Sequence, residues 1–328
     1  MRNDEHVSVT VAICTYNRAD CIQGCLAALF RQKAMSAFEV LVVDNNSTDG
    51  TRDVVEEMRA QHINLHYVLE PKQGLSHARN GALRRAIGDI VAFIDDDGLA
   101  EQDWLANLTG ALADSDVACA GGRIEIDYGG ERPEWLPEAL EGYLSKWDGG
   151  ENPDCSTEVV GCNFAVRKKL AIQLGSFSPS LGYARGNQLP GEESEFCVRV
   201  RKAGLAIRYV GSAVVYHRIV PERLTPGWFV RRAYMGGRAT AIIFPELEEQ
   251  QDWLGHVVYT ALLGYGSRLR QHRKNALVYR CQSAYYSGLF AEFNSGKCIS
   301  TRTLASRLGL LRTAVWPGLR QIIRSREL

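Results

Sequence analysis

Three aspartates stand side by side at Asp95, Asp96 and Asp97, in the stretch IVAFIDDDG that closes a short apolar run. Adjacent carboxylates repel one another, so such a cluster asks for a cation or for donors that hold the charge. In extended backbone, residues two apart project to the same side, which sends Asp95 and Asp97 one way and Asp96 the other. Two carboxylates on one side suit a hard divalent ion, Mg²⁺ or Mn²⁺. Such an ion takes one or two protein carboxylates and completes its shell with water and phosphate oxygens. Helix capping competes for part of the signal, because Gly98 and the acids between Glu101 and Asp103 precede a helical stretch. Capping accounts for one acid rather than three.

The elements that must position these acids are legible from hydrophobic periodicity. Val7–Ile13, Phe38–Val43, Ile63–Leu69 and Ile90–Ile94 read as buried strands. Asp20–Gln32, Thr51–Ala60, Ser76–Ala86 and Gln102–Ala113 read as the helices that come after them. Strand and helix in alternation predict an α/β fold with a parallel sheet covered on both faces. Ligands of such sheets bind beyond the carboxyl ends of the strands. Those four ends carry CTYNR (14–18), DNNSTDG (44–50), PKQGLSHARN (71–80) and DDDG (95–98), all polar. Farther on, Val117–Ile126 reads as a strand, and Asp127–Asp154, with Trp135 and Trp147, as a long loop with one short helix. Val159–Val166 is strand-like, Arg167–Leu174 helical, and Gly175–Pro190 a broken loop. Glu193–Ala203 is helical, Ala206–Val210 and Val214–Tyr216 are two short strands, and helices run from Trp228, interrupted at Pro245, with Pro317 near the end.

Known ligand motifs narrow the chemistry. CTYNR has no glycine, which excludes a dinucleotide fingerprint, and no GxxxxGK[ST] phosphate loop occurs. Counted from Asp44 as a calcium loop, Thr48 fills the fifth position, the glycine comes one place late, and Val55 takes the place of the final glutamate. The residue types left at these strand ends suggest a nucleoside-diphosphate ligand with a divalent metal.

Composition adds less. The chain of 328 residues has equal numbers of basic and acidic side chains, 38 each. They are unevenly placed: residues 1–220 hold about 22 basic and 31 acidic groups, so the remainder is basic. Arg268, Arg270, Arg273 and Lys274 form the densest cluster. The nine cysteines (Cys14, Cys21, Cys25, Cys119, Cys155, Cys162, Cys197, Cys281 and Cys298) are scattered with no CxxC pair. That fits reduced, buried thiols in a cytoplasmic protein. MRNDEHVSV carries no apolar signal region, and no run nears the ~18 apolar residues of a membrane span.

Four blocks together resemble family 2 glycosyltransferases of the GT-A fold: VSVTVAICTYNRADCIQGCLAALFRQ, FEVLVVDNNSTDGT, GLSHARNGALRRAIGDIVAFIDDDG and GEESEFCVRVRKAGLAIRYV. They occur in the family's order and cover roughly residues 7–240. The resemblance implies a Rossmann-like, mostly parallel sheet flanked by helices. It implies a GT-A domain over 1–225, with a nucleotide half to about 115 and an acceptor half over 116–225, and a helical, basic extension over 226–328. It gives Thr15, Tyr16 and Asn17 to the nucleotide and Asp44 to the base, with Arg79 on the base or phosphate. Asp44 and Asp49 also fit an Asx-turn, and Arg79 an ion pair with a nearby acid. Asp95 and Asp96 fall near the ribose and metal, and Asp97 is the main ligand of a DxD-type motif. His217 is a further metal ligand or a packed strand-end histidine. Asn163 resembles a position lining the sugar or acceptor pocket, and Trp135 and Trp147 are either aromatics that stack on a sugar acceptor or core anchors.

The family places an aspartate base after a glutamate at a helix start. Here PGEESEF puts Glu193 at that position, with Glu192 as the other choice, and both also suit a helix N-terminus. The implied activity is metal-dependent, inverting transfer of a hexose from a UDP-sugar or related donor to a carbohydrate or lipid-linked acceptor. Bacterial polysaccharide or glycoconjugate synthesis is the setting. A nucleotide-sugar-binding regulator with weak catalysis is the alternative, since glutamate replaces the usual aspartate. The basic extension points to an anionic membrane at the inner face rather than to nucleic acid, for which interleaved aromatics are few.

Overall fold

The computed structural model describes residues 9–33, 38–150, 158–184, 188–249 and 253–295. The start of the expected first strand, parts of both long loops, Cys155, Cys298 and Pro317 lie outside the described residues.

The chain divides into two compact units, the first comprising Met1–Gly130 and Leu144–Ile219. Its strands are β1 Val9–Thr15, β2 Phe38–Asp44, β3 Leu65–Leu69, β4 Ile90–Asp95, β5 Gly98–Ala100, β6 Val117–Asp127, β7 Asn163–Arg167 and β8 Ala206–Arg218. They form one sheet in the order β3-β2-β1-β4-β7-β6-β8-β5. The pairs β1–β2, β1–β4, β2–β3 and β6–β8 are parallel. β7 runs against β4 and β6, and β5 runs against β8.

Side-chain alternation builds a core on each face. Val9, Val11, Ile13, Val40, Val42, Ile90, Ala92 and Ile94 turn to one side. There they meet α1 (Ile22–Leu29), α2 (Thr51–Arg59) and α4 (Trp104–Gly110) through Leu26, Val55 and Trp104. Ala12, Leu41, Val43, Val91 and Phe93 turn to the other side. They meet α3 (Leu75–Arg85), α5 (Lys168–Gln173) and α6 (Glu192–Lys202) through Ala78, Ala82, Ala171, Phe196 and Val200. Burial of each large aliphatic is worth about 1.5–3 kcal/mol, which explains the near-continuous apolar runs of β1, β2 and β4.

Three features depart from the expected elements. β5 occupies Gly98–Ala100, where only a helix start was expected; three residues are too few to show a period. The two short strands expected over 206–216 are one strand, β8, whose pairing jumps from Gly122↔Val210 to Arg123↔Val214. Residues 211–213 bulge out of the ladder there, which breaks the apolar pattern in two. The strand expected from Val159 starts only at Asn163, and 158–162 reach the site as irregular backbone.

The second unit comprises Glu131–Tyr143 and Val220–Leu328. Its long helices are α7 Pro226–Ile243, α8 Trp253–Leu269 and α9 Arg273–Phe293. Thr225 caps α7 by accepting from the Trp228 N–H at 3.3 Å, and Pro226 fits the first turn. α7 and α9 touch backbone to backbone: a Cβ at Gly237 would fall 1.9 Å from the Tyr285 carbonyl oxygen. Among the described residues no helix is long and apolar enough to cross a membrane.

Candidate active site

The end of β4 separates the three aspartates. Asp95 is its last residue and stays partly exposed, whereas Asp96 and Asp97 are buried at 6% and 4%. Asp96 turns back toward β1, accepting from Thr15 Oγ1 at 2.7 Å and lying 3.5 Å from Arg18 Nε. Burial, and next the neighbouring Asp97, push its carboxyl up to about 7. Asp97 lies 3.7 Å from Arg18 Nη2. Arg18 therefore offsets part of the acid charge. It ends the CTYNR segment yet carried no assigned role; a cation at a strand end opposite three acids was the available signal.

β5 and β8 bring in the third donor. Gly98 pairs with His217 across the antiparallel ladder, and His217 Nε2 comes within 3.2 Å of Asp97 Oδ1. His217 Nδ1 lies 2.8 Å from the Leu144 carbonyl oxygen. A carbonyl only accepts, so Nδ1 carries a proton and donates it. In neutral imidazole that leaves the Nε2 lone pair facing a carboxylate oxygen. A proton or a cation between them reconciles the two. One ligand atom each from Asp95, Asp97 and His217 lies within 4.8 Å of the others. Two carboxylates and an imidazole oriented through its other nitrogen fit a divalent ion, with the Leu144 carbonyl as its outer support.

Around the ends of β1 and β2, Tyr16 is 41% exposed and Thr15 is buried beneath it. Asn17 takes a left-handed backbone (φ 53°). It joins the two loops by donating from its N–H to Ser47 Oγ at 2.9 Å and accepting the Thr48 N–H at 2.8 Å. Asp44 is buried, with Oδ1 accepting from the Ser47 N–H at 2.9 Å and Oδ2 from the Tyr67 hydroxyl at 2.7 Å. The Asx-turn falls at Asp49, whose Oδ1 accepts the Thr51 N–H at 3.0 Å, whereas the Asp44 bond reaches one residue farther along the chain.

Arg79 differs most from its expected place on the nucleotide. Its guanidinium is 2% exposed and lies 5.8, 5.2 and 5.8 Å from the ring centroids of Phe93, Phe164 and Phe177. Nη1 donates to Glu192 Oε1, and Nη2 donates to the Gly161 carbonyl at 2.9 Å. Asp95 Oδ1 is 3.8 Å from Nη2, and Glu193 Oε2 is 3.9 Å from Nη1. Burial works against its charge, but Glu192, Glu193 and Asp95 outweigh it and hold the cation. Gly161 is required here, since a Cβ would fall 2.8 Å from Nη2.

Glu192 and Glu193 open α6, entered through Gly191 at φ 97°, a left-handed turn that favours glycine. Glu192 is fully enclosed; burial, then Glu193, push it up to about 8, against the lowering effect of Arg79. The Glu193 side chain keeps 17% exposure.

Asn163 and Trp135 both make contacts within the fold. Asn163 has no exposed surface. Its Nδ2 donates to the Arg123 and Ala213 carbonyls at 2.9 and 2.8 Å, and its Oδ1 accepts from Trp104 Nε1 at 2.8 Å. Both Nδ2 hydrogens and one Oδ1 lone pair are thus engaged with β6, the β8 bulge and α4. Trp135 belongs to the second unit, edge-on to Phe229 with centroids 5.9 Å apart. Trp147 bridges to Ile124 in the first unit.

Residues 10–175 match the model of the family described as "Glycosyl transferase family 2". The chain is 27% identical over 286 residues to the succinoglycan biosynthesis protein ExoM of Rhizobium meliloti, covering 82% of this chain and 89% of that protein. It is 38% identical over 219 residues to glycosyltransferase AglE of Haloferax volcanii, covering 65% and 67%. Among solved structures it is similar to mannosyltransferase PcManGT from Pyrobaculum calidifontis in complex with GDP-Man and Mn²⁺ (TM-score 0.62, 24% identity, 88% of each chain). That likeness concerns architecture, and the layered sheet with its flanking helices is the GT-A fold. By its sequence, this chain belongs to glycosyl transferase family 2.

Proposed function

We propose that the enzyme moves a hexosyl group from a nucleoside-diphosphate sugar, UDP-linked in the first instance, to a hydroxyl of a saccharide or lipid-linked acceptor. The anomeric configuration inverts, and the product is a polysaccharide or glycoconjugate, as the name of the ExoM relative suggests. One observation carries the reading. A single guanidinium, that of Arg79, lies 3.8 Å from Asp95 and 3.9 Å from Glu193, so the cation-binding acids and the helix-start carboxylate belong to one cluster.

In this reading residues to about 115 receive the nucleotide and 116–225 the acceptor. Thr15, Tyr16 and Asn17 bound the nucleotide, and each Asp44 oxygen keeps a second lone pair for a base N–H such as the uracil imide. Asp95, Asp97 and His217 would hold Mg²⁺ or Mn²⁺, whose charge offsets that of the departing diphosphate. Asp96 backs this group through Thr15 and Arg18. Glu193, the more exposed of the α6 pair, takes the acceptor proton while the hydroxyl oxygen attacks C1 opposite the diphosphate. Exposed Arg268, Arg270, Arg273 and Lys274, at the turn between α8 and α9, support contact with anionic headgroups at the cytoplasmic face, where a lipid-linked acceptor is reached.

A panel of UDP-, GDP- and TDP-sugars, assayed with Mn²⁺ and with EDTA, tests the reading, with the product anomer assigned by NMR. Glu193→Gln should lower turnover by ~10²–10⁴-fold while donor still binds. Undiminished turnover in EDTA would remove the metal, a retained anomer the inversion, and near-wild-type Glu193→Gln the base. Donor binding without transfer to any acceptor would favour a regulatory protein.

A further inference from the structure

Arg79 and Glu192 are among the most enclosed charged groups near the site, and the proposed transfer uses neither. Their surroundings are nonetheless specific. Three phenyl rings fix the guanidinium plane, and the Gly161 carbonyl and Glu192 take one nitrogen each. The same two nitrogens face Asp95 and Glu193, one on each arm. Successive residues in a helix project about 100° apart, so Glu192 can point inward while its neighbour points out.

We propose that Arg79 and Glu192 form a buried pair that positions Glu193 and ties it to the acid at the end of β4. The inference rests on the transferase reading above, and neither residue touches the reacting atoms.

Charge accounting supports it. Glu192, Glu193 and Asp95 surround one guanidinium, and three ionised carboxylates would leave it outnumbered. Glu158 also lies near Glu193, with Arg201 beside it; burial, then Glu193, raise the Glu158 carboxyl. Burial and then Glu193 push Glu192 up to about 8, so near neutral pH it carries a proton. A protonated Glu192 still accepts from Arg79 through its carbonyl oxygen. The cation then faces Glu193 and Asp95, one on each arm. Two adjacent carboxylates thereby take different places, one enclosed against the guanidinium and the other reaching the surface.

The test compares Glu192→Gln, Glu192→Ala, Arg79→Met and Arg79→Lys with Glu193→Gln. Kcat, KM, donor affinity and thermal melting are measured, with kcat tracked against pH. Glutamine copies the shape of the protonated acid, so Glu192→Gln should lower kcat less than about tenfold. Glu192→Ala should lower it about 100-fold with donor affinity kept, as expected for a misplaced base. Loss of a cation near a carboxylate raises its pKa, so Arg79→Met should move the acidic limb of kcat up by about one unit or more. Arg79→Lys should restore part of that shift. Should the Arg79 variants fail to fold, the Gln-against-Ala comparison at 192 still decides. Glu192→Gln as inactive as Glu193→Gln would overturn the proposal and make Glu192 the base. Equal Gln and Ala variants with an unmoved pH limb would also overturn it, leaving packing alone. Undiminished turnover in Glu193→Gln would instead remove the base assignment and, with it, the task of the pair.

Discussion

Gly161→Ala probes the tightest point of the site by adding one methyl group. Its Cβ would lie 2.8 Å from Arg79 Nη2 and 3.3 Å from Glu193 Oε1. Arg79 has nowhere to withdraw, since Nη2 is bonded at 2.9 Å to the carbonyl of Gly161 itself and the phenyl rings hold its plane. Two effects of opposite sign compete. Gly161 is not among the positive-φ residues, so alanine fits the backbone and stabilises by restricting the unfolded chain, worth about 0.4–1 kcal/mol. Overpacking a filled interior costs about 1–3 kcal/mol. The steric cost wins, giving a net loss of about 1–2 kcal/mol. Displacement of Glu193 should also lower kcat by ~10–10²-fold. Gly110→Ala is the control: it lies in α4 with nothing within 4 Å of its Cβ, and should gain about 0.5–1 kcal/mol. Urea unfolding of both variants gives the midpoint and slope, and steady-state kinetics give turnover. If Gly161→Ala shifts the midpoint in the same direction as Gly110→Ala, the close-packing account is refuted.

Asn163→Ala should cost at least about 2 kcal/mol in the same unfolding assay, because it strands the buried Trp104 Nε1 and two carbonyls; a neutral change would return Asn163 to the pocket. Glu192 binds its proton more tightly in the native state than in the unfolded chain. Its contribution to stability is therefore complete below about pH 4.5, falls as pH rises, and is lost above about pH 8. Urea midpoints against pH should flatten in Glu192→Gln; an unchanged slope would assign the pH dependence elsewhere. Sedimentation with anionic vesicles should weaken with salt and on reversing Arg268, Arg270, Arg273 and Lys274 to glutamate, each charge being worth about 1 kcal/mol; salt-independent binding would remove the headgroup contact.

The first half of the fold was legible because β1 to α4 are mostly long enough to show their own period, and each strand end falls where polarity begins. β5 is too short for that, and β8 hides its continuity behind its bulge. At the site, extended backbone predicts that Asp95 and Asp97 share a side; both lie in the Asp95–Asp97–His217 group, although Asp96 and Asp97 form the turn after β4. Depth was not legible. Arg79 and Glu192 are 113 residues apart, and Asn163 and Trp104 are 59 apart. Nothing near Arg79 or Asn163 in the chain distinguishes a polar group meant for a ligand from one meant for a buried partner. The Asx-turn at Asp49, by contrast, was readable because its partner, Thr51, is local.

The interruption at 211–213 keys the two halves of β8 separately. Residues 206–210 take their register from the first part of β6, whereas 214–218 take theirs from 123–127 and from β5. In an unbroken ladder, one added residue turns every later side chain to the opposite face. Here the unpaired residues act as a clutch: a change of length among them slips without rotating the strand beyond Ala213. Inside 214–216 there is no such slack, and a single insertion would swing the His217 imidazole off Asp97 and offer the site its strand neighbour instead. The metal-side geometry is thus tolerant of chain-length change on one side of Ala213 and brittle on the other.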